Sequence, residues 1–279
     1  YVSMTHVGGE GNNFKKQNQD SYFVAHGPGG EGMVWGVLDG HGPDNGRLAA
    51  QVAASTFQEW FEGHWAELLK APQKAMAAAF KAAHDAVRDA MVKRYDAAGK
   101  PLRETPEGYY LEQDGQPADG GTTATVVALL QGHLLVVANV GDSDCLLGGT
   151  LADGSIGFEQ LCADHTPVSV DEYIRVAQLT NERPEEWEPA MFVYDGDSDE
   201  FLEIFTVSDE GAVTVDAELA GRLDELGVGY KSARGDRPTA LIVPETEDYG
   251  QQKLGMTRTL GDFYMQHHGC TYEPAVSCI

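Results

Sequence analysis

The chain has 279 residues and a mass of 30.1 kDa, enough for one large domain or two small ones. Apolar residues make up 42% and charged residues 23%, so the composition is globular, and a chain this long buries a core without disulfide staples. Forty-four acidic residues against nineteen basic ones leave a formal charge of −25, which excludes nucleic acid and anionic membrane as partners but not cations.

No apolar stretch approaches the length of a membrane span. The chain begins Tyr1-Val2-Ser3-Met4, without an initiator Met or a signal peptide, and reads as a fragment whose targeting information lies elsewhere. Cys145, Cys162, Cys270 and Cys278 have no CxxC spacing and read as reduced thiols of an intracellular protein, cytoplasmic or nuclear.

In chain order, Ser21–Ala25 and Met33–Leu38 are apolar runs around a Gly-rich turn and predict a β-hairpin. From Pro43 to about Leu69 the period becomes helical. Leu48, Val52, Thr56 and Trp60 recur every four residues, with Ala53, Phe57 and Phe61 beside them. Pro72 opens a second helix, whose core stripe is Met76, Phe80, Ala83, Val87, Met91 and Tyr95. Both helices are amphipathic and need a surface to pack on, expected to be a sheet.

Residues 97–121 read as a loop. Thr122–Leu130 and His133–Asn139 are β-branched and aliphatic runs joined by Gln131-Gly132, a second hairpin. Cys145–Leu147 and Gly157–Leu161 predict further strands. Residues 167–255 are acidic and carry several prolines. They read as an inserted subdomain, with strands at Phe201–Val207 and Leu241–Val243 and a short helix at Asp216–Leu226.

Two motifs do not survive inspection. Gly27-Pro-Gly-Gly-Glu-Gly32 matches GxGxxG, but it sits between two strands with no helix after it, so it reads as a turn. Asp195-Gly-Asp-Ser-Asp199 begins like a calcium loop, but Glu200 stands where the sixth-position Gly is needed and Thr206 where the twelfth-position Glu is. Neither a cysteine-nucleophile phosphatase pattern nor GxSxG nor HExxH occurs.

The informative feature is a set of aspartates beside turn residues at strand ends: Asp20, Asp39, Asp142 and Asp262. One such residue is usually a turn former or a cap. Four together suit a hard cation, because clustered carboxylates repel one another without one.

These aspartates lie in segments whose order resembles that of the metal-dependent Ser/Thr protein phosphatases of the PPM, or type 2C, family. The segments are Asn18-Gln-Asp20, Val37-Leu-Asp-Gly-His-Gly42, Gly120-Gly-Thr-Thr-Ala124, Ala138-Asn-Val-Gly-Asp-Ser143, Ala163-Asp-His-Thr-Pro167, Thr257-Arg-Thr-Leu-Gly-Asp262 and Glu273-Pro-Ala-Val276. The resemblance implies an α+β fold, a four-layer α-β-β-α sandwich of two antiparallel sheets flanked by helices. It implies a single domain over residues 1–279, with 167–255 as an enlarged flap subdomain and the family's closing strands absent.

The resemblance also implies a centre of two Mg²⁺ or Mn²⁺ ions, with a weaker third. Asp39 matches the bridging carboxylate, Gly40 a backbone-carbonyl ligand and Asp262 a further direct ligand. Asp20 matches an acid that holds metal-bound water, and Asp142 one linked to the third ion. His41 matches the general acid that protonates the leaving alkoxide. Two ions about 3.5–4 Å apart generate a bridging hydroxide for in-line attack on phosphoserine or phosphothreonine. The implied partners are phosphorylated proteins, with the enzyme as a monomer.

Two departures from the family pattern matter. Lys15 stands where the family has a phosphate-binding arginine, which keeps the charge but loses the bidentate fork. The last metal aspartate of the family has no counterpart before Ile279. These departures motivate the alternative expectation of a catalytically weak or inactive relative that binds phosphoproteins.

Overall fold

The computed structural model describes residues 3–4, 17–194, 201–226 and 239–279. The first hairpin forms as expected: β1 (Ser21–His26) pairs antiparallel with β2 (Gly32–Leu38). The glycine-rich segment between them is one tight turn, closed by the Gly27 N–H donating to the Gly32 carbonyl at 2.9 Å. After β2 come the two-residue strand β3 (Gly40–His41) and the helices α1 (Gly46–Gly63), α2 (Trp65–Lys70) and α3 (Pro72–Ala97).

The expected helix over 43–69 is thus two helices. His64 breaks it with non-helical backbone angles (φ −123°, ψ 29°), while its ring stacks on Trp60 at 4.4 Å. The buried face of α1 also differs from the four-residue series. It centres on Ala50, Ala53, Ala54, Phe57 and Phe61, whereas Leu48, Val52 and Trp60 are only partly buried. Aromatic packing decides this, since Phe23 of β1 stacks on both Phe57 and Phe61. The stripe of α3 is as expected from Met76 to Met91, with Tyr95 half-buried at its end.

The 97–121 segment contains short strands: β4 (Arg103–Glu104), β5 (Tyr110–Leu111) and the start of β6 (Gly121–Thr122). Next comes the second hairpin, β7 (Ala124–Leu130) and β8 (Leu134–Val140). The connection is three residues long, Gln131, Gly132 and His133, one more than the expected two, and Gln131 and Gly132 turn it with φ of 52° and 73°. A five-stranded antiparallel sheet results, in the order β1-β2-β7-β8-β18, its last strand being β18 (Ala275–Cys278). Helices α1 and α3 pack on one face of it, α1 mainly against β1.

Residues 167–255, expected to be an inserted subdomain, follow the hairpin β9 (Leu146–Thr150) and β10 (Ile156–Gln160). Their first element, α4 (Val170–Thr180), escaped the sequence reading. The signal was present: Ser169 and Glu172 have the S-x-x-E spacing of a capping box, and Ser169 Oγ accepts from the Glu172 N–H. Next come β11 (Met191–Tyr194), β12 (Leu202–Glu203), β13 (Phe205–Val207), β14 (Val213–Val215), α5 (Ala217–Leu226), β15 (Thr239–Val243) and β16 (Gln252–Leu254). Strands β12-β11-β15-β16 make a second antiparallel sheet, and Tyr173 of α4 packs on Phe192 and Phe205. The α+β class with antiparallel sheets carrying helices is therefore observed. No helix among the described residues is long and apolar enough to cross a membrane.

Candidate active site

The site is built on a short three-stranded ladder, β17-β6-β3, in which β17 (Leu260–Gly261) leads into the single-turn helix α6 (Phe263–His267). Strand β6 lies between the other two and is antiparallel to both. Gly40 and Leu260 flank Thr122, and His41 and Gly261 flank Gly121. Strands β3 and β17 therefore run the same way.

This arrangement brings His41 and Asp262 together. His41 Nε2 lies 2.7 Å from Asp262 Oδ2, and the carboxylate is almost fully buried. Gly121 between them permits the approach, because a Cβ at that position would overlap Asp262 Oδ2. Asp262 sits in left-handed backbone (φ 47°, ψ 49°), unusual for a residue with a side chain. Its N–H donates to the Gly120 carbonyl at 3.2 Å. Burial opposes the charge on His41, but Asp262 above all, with Asp119 and Asp39, outweighs it and raises the imidazole pKa above its ordinary value. His41 Nδ1 is one of the described buried atoms without a hydrogen-bond partner.

Asp39 is placed differently. It precedes β3, whereas Asp262 follows β17, so two parallel strands put them at opposite ends of the ladder. Thr123 clamps Asp39 from both sides. Its Oγ1 accepts the Asp39 N–H at 3.0 Å, and its own N–H donates to the Asp39 carbonyl at 2.9 Å. Asp20 and Asp39 line one groove of about 390 Å³ together with Ser143 and the outward residues Tyr22, Trp35 and Val37. Gln19 ties the Asp20 segment to the ladder, donating from Nε2 to the Gly42 carbonyl at 2.8 Å. Gly40 is buried, and a Cβ there would meet the carbonyls of Gly46 and Gln19.

Asp142 is half-buried in the turn after β8. Its neighbour Ser143 shares a hydrogen bond with Thr123 Oγ1 at 2.8 Å, which links this turn to Asp39. The expected single cluster is thus not gathered at one point. Among the described residues, no three His, Cys, Asp or Glu side chains stand close enough to hold a metal ion together. Asp20 and Asp39 line the groove, His41 pairs with Asp262, and Asp39 also acts on the His41 charge. The donor chemistry still suits a hard cation, since the candidates offer carboxylate and carbonyl oxygens only. Lys15 and the 195–199 acidic loop lie outside the described residues.

Several residues around the site had no role in the sequence reading. Asp119 is one. Loss of solvation and the neighbouring Asp262 carboxylate push its pKa up, against the pull of His41. Asn45, fully buried at the start of α1, donates to the Asp119 carbonyl at 2.6 Å. His84 of α3 accepts the Gly261 N–H at Nδ1, 3.2 Å away, and burial lowers its pKa to about 4, so the imidazole is neutral as that acceptor role requires. His165 is also lowered to about 4, by burial and then by Arg258. The Gly120-Gly-Thr-Thr-Ala124 segment had pointed to this region, but only the ladder shows Gly121 as a passage and Thr123 as a clamp.

A second deeply buried carboxylate near the site is Glu172 of α4, 2% exposed. Its carboxylate receives both Arg258 and Arg175 at 2.6–3.1 Å. Burial alone would raise its pKa, but the two guanidinium groups prevail and lower it to about 2.

The family model described as "Protein phosphatase 2C" matches residues 5–182. A rice (Oryza sativa subsp. japonica) protein named "Probable protein phosphatase 2C 64" is 34% identical over 143 residues, 49% of this chain. An Arabidopsis thaliana protein named "Probable protein phosphatase 2C 11" is 28% identical over 165 residues, 58% of this chain. The matched regions span only 28% and 36% of those relatives' own lengths. Among solved structures, the serine-threonine phosphatase 2C of Toxoplasma gondii shares the fold, with a TM-score of 0.52 and 16% identity over 95% of this chain and 70% of the other. With a family match over more than half its length, which takes in the first five of the seven motif segments, the chain belongs to the protein phosphatase 2C family.

Proposed function

We propose that this protein is a Mg²⁺- or Mn²⁺-dependent phosphatase acting on phosphoserine and phosphothreonine in proteins. The observation that carries the reading is the 2.7 Å pairing of His41 with Asp262 across Gly121, in a chain of this family. Asp39, Asp262 and the Gly40 carbonyl are the proposed direct ligands of two ions. Asp20 and Asp142 are assigned to hold water around them, Asp142 beside a weaker third. When bound, the ions supply Lewis-acid activation of water and neutralise charge on the phosphoryl group.

The chain's own residues do the rest. Thr123 fixes the backbone of Asp39 at two points, and Gln19 holds the Asp20 segment against the β3 loop. His41, oriented at Nε2 by Asp262 and with Nδ1 left unpartnered, is the proposed donor, from Nδ1, to the serine or threonine alkoxide, a poor leaving group unless protonated. Lys15 is the proposed cation for the substrate phosphate. The 167–255 segment is the proposed flap that shapes access for the phosphoprotein.

The test is hydrolysis of a phosphothreonine peptide with added Mn²⁺. Activity is expected to vanish in EDTA, to return with Mn²⁺, and to be lost in Asp39→Ala. Hydrolysis that survives either EDTA or the substitution overturns the metal-dependent reading.

A further inference from the structure

We propose that Glu172, on the flap helix α4, is a positioning residue for Asp262, acting through Arg258 and Arg175. This rests on the reading above only in taking Asp262 as a cation ligand.

The geometry is specific. Arg258 meets the Glu172 carboxylate with Nε at 3.1 Å from both oxygens and with Nη2 at 2.6 Å from Oε1. Arg175 adds Nε and Nη2 at 3.1 and 3.0 Å from Oε2. The remaining guanidinium donors go to the main chain. Arg258 Nη1 reaches the Glu273 carbonyl at 2.9 Å, Arg175 Nη1 the Gly269 carbonyl at 2.9 Å, and Arg175 Nη2 the Thr257 carbonyl at 3.3 Å.

These carbonyls bracket Asp262. Thr257 and Arg258 lie just before it, and Gly269 and Glu273 lie after α6. One carboxylate thus orients two cations that hold both ends of the segment carrying Asp262. That residue needs such restraint. Left-handed backbone costs a residue with a side chain some energy, less for Asp than for most, and packed surroundings hold it there. Inside the bracket, Gln266 Nε2 donates to the carbonyls of Thr259 and Gly261 at 2.8 and 3.0 Å. Without the Glu172 charge, two neighbouring guanidinium groups would lack a counter-ion and repel each other, releasing both ends of the bracket.

A staple that merely adds stability would leave the site's chemistry alone, and this separates the two roles. The experiment uses Glu172→Gln and the milder, charge-keeping Glu172→Asp in the full chain, below their unfolding temperatures. Mn²⁺ affinity is measured by calorimetry, and the His41 ring-nitrogen signals by NMR. For Glu172→Gln, Mn²⁺ binding is expected to weaken about 10–100-fold, as for other residues that orient a ligand from behind. The His41 Nε2 signal is expected to move as the bond to Asp262 loosens. Glu172→Asp should recover much of both.

A Glu172→Gln protein with a lower Tm, but with Mn²⁺ affinity within about twofold of wild type and unmoved His41 signals, overturns the proposal. If Glu172→Gln does not fold, a Glu172→Asp protein with wild-type affinity and signals does the same. The nitrogen signals need neither metal nor turnover. A wild-type protein that proves inactive therefore refutes the phosphatase reading, while the NMR comparison still decides this one.

Discussion

His41 and Asp262, 221 residues apart in the chain, meet at 2.7 Å because the residue between their strands, Gly121, has no side chain. The pair places a raised-pKa imidazole against a buried carboxylate at the end of a three-stranded ladder.

His41→Asn should lower kcat toward a phosphothreonine peptide by about 10²–10⁴-fold, the usual contribution of a positioned acid. The loss should be much smaller for an aryl phosphate, whose leaving group needs no proton. Comparing kcat for the two substrates checks the role, and an equal loss on both would rule out proton donation to the leaving group.

Gly121→Ala puts a methyl group where Asp262 Oδ2 now lies. Either the carboxylate leaves His41 or the ladder shifts, and overpacking of this kind costs about 1–3 kcal/mol. Urea unfolding should record the loss. Activity should fall further than stability does, since the displaced group is a proposed ligand. Wild-type activity in Gly121→Ala would mean the contact is dispensable.

The buried histidines predict a pH dependence. His84 and His165 are each lowered from the ordinary 6.5 to about 4. Between those values the unfolded chain binds protons that the folded one refuses, so stability falls as pH drops from 6.5 toward 4. Each histidine contributes a slope of up to about 1.4 kcal/mol per pH unit there. Urea unfolding at a series of pH values should show this slope, and His165→Asn should remove about one proton's share of it.

Glu172 acts in a lower window. Its pKa is lowered from 4.5 to about 2, so its contribution is full above pH 4.5 and is lost as pH falls toward 2. The shift corresponds to about 3 kcal/mol of stability at neutral pH. Glu172→Gln should be less stable at neutral pH and should show a flatter profile between pH 4.5 and 2 in chemical denaturation. A parallel profile would mean the ion cluster adds no pH-dependent stability.

Much of this was legible in the amino-acid sequence. The strand runs, the stripe from Met76 to Met91 and the turn at Gln131-Gly132 follow from local periodicity and turn chemistry, because those signals are carried by neighbouring residues. Helix α4 was also legible, through Ser169 and Glu172, and its capping box was overlooked in an acidic, proline-bearing stretch. The tertiary structure alone decided which acids meet. Asp39 and Asp262 sit in equally clear motifs, yet parallel β3 and β17 send them to opposite ends of one ladder, while His41 lands on Asp262. Strand register between distant segments settles such contacts, and periodicity holds no record of it. The same holds for Glu172 and Arg258, 86 residues apart, which meet in the interior through the same kind of distant register.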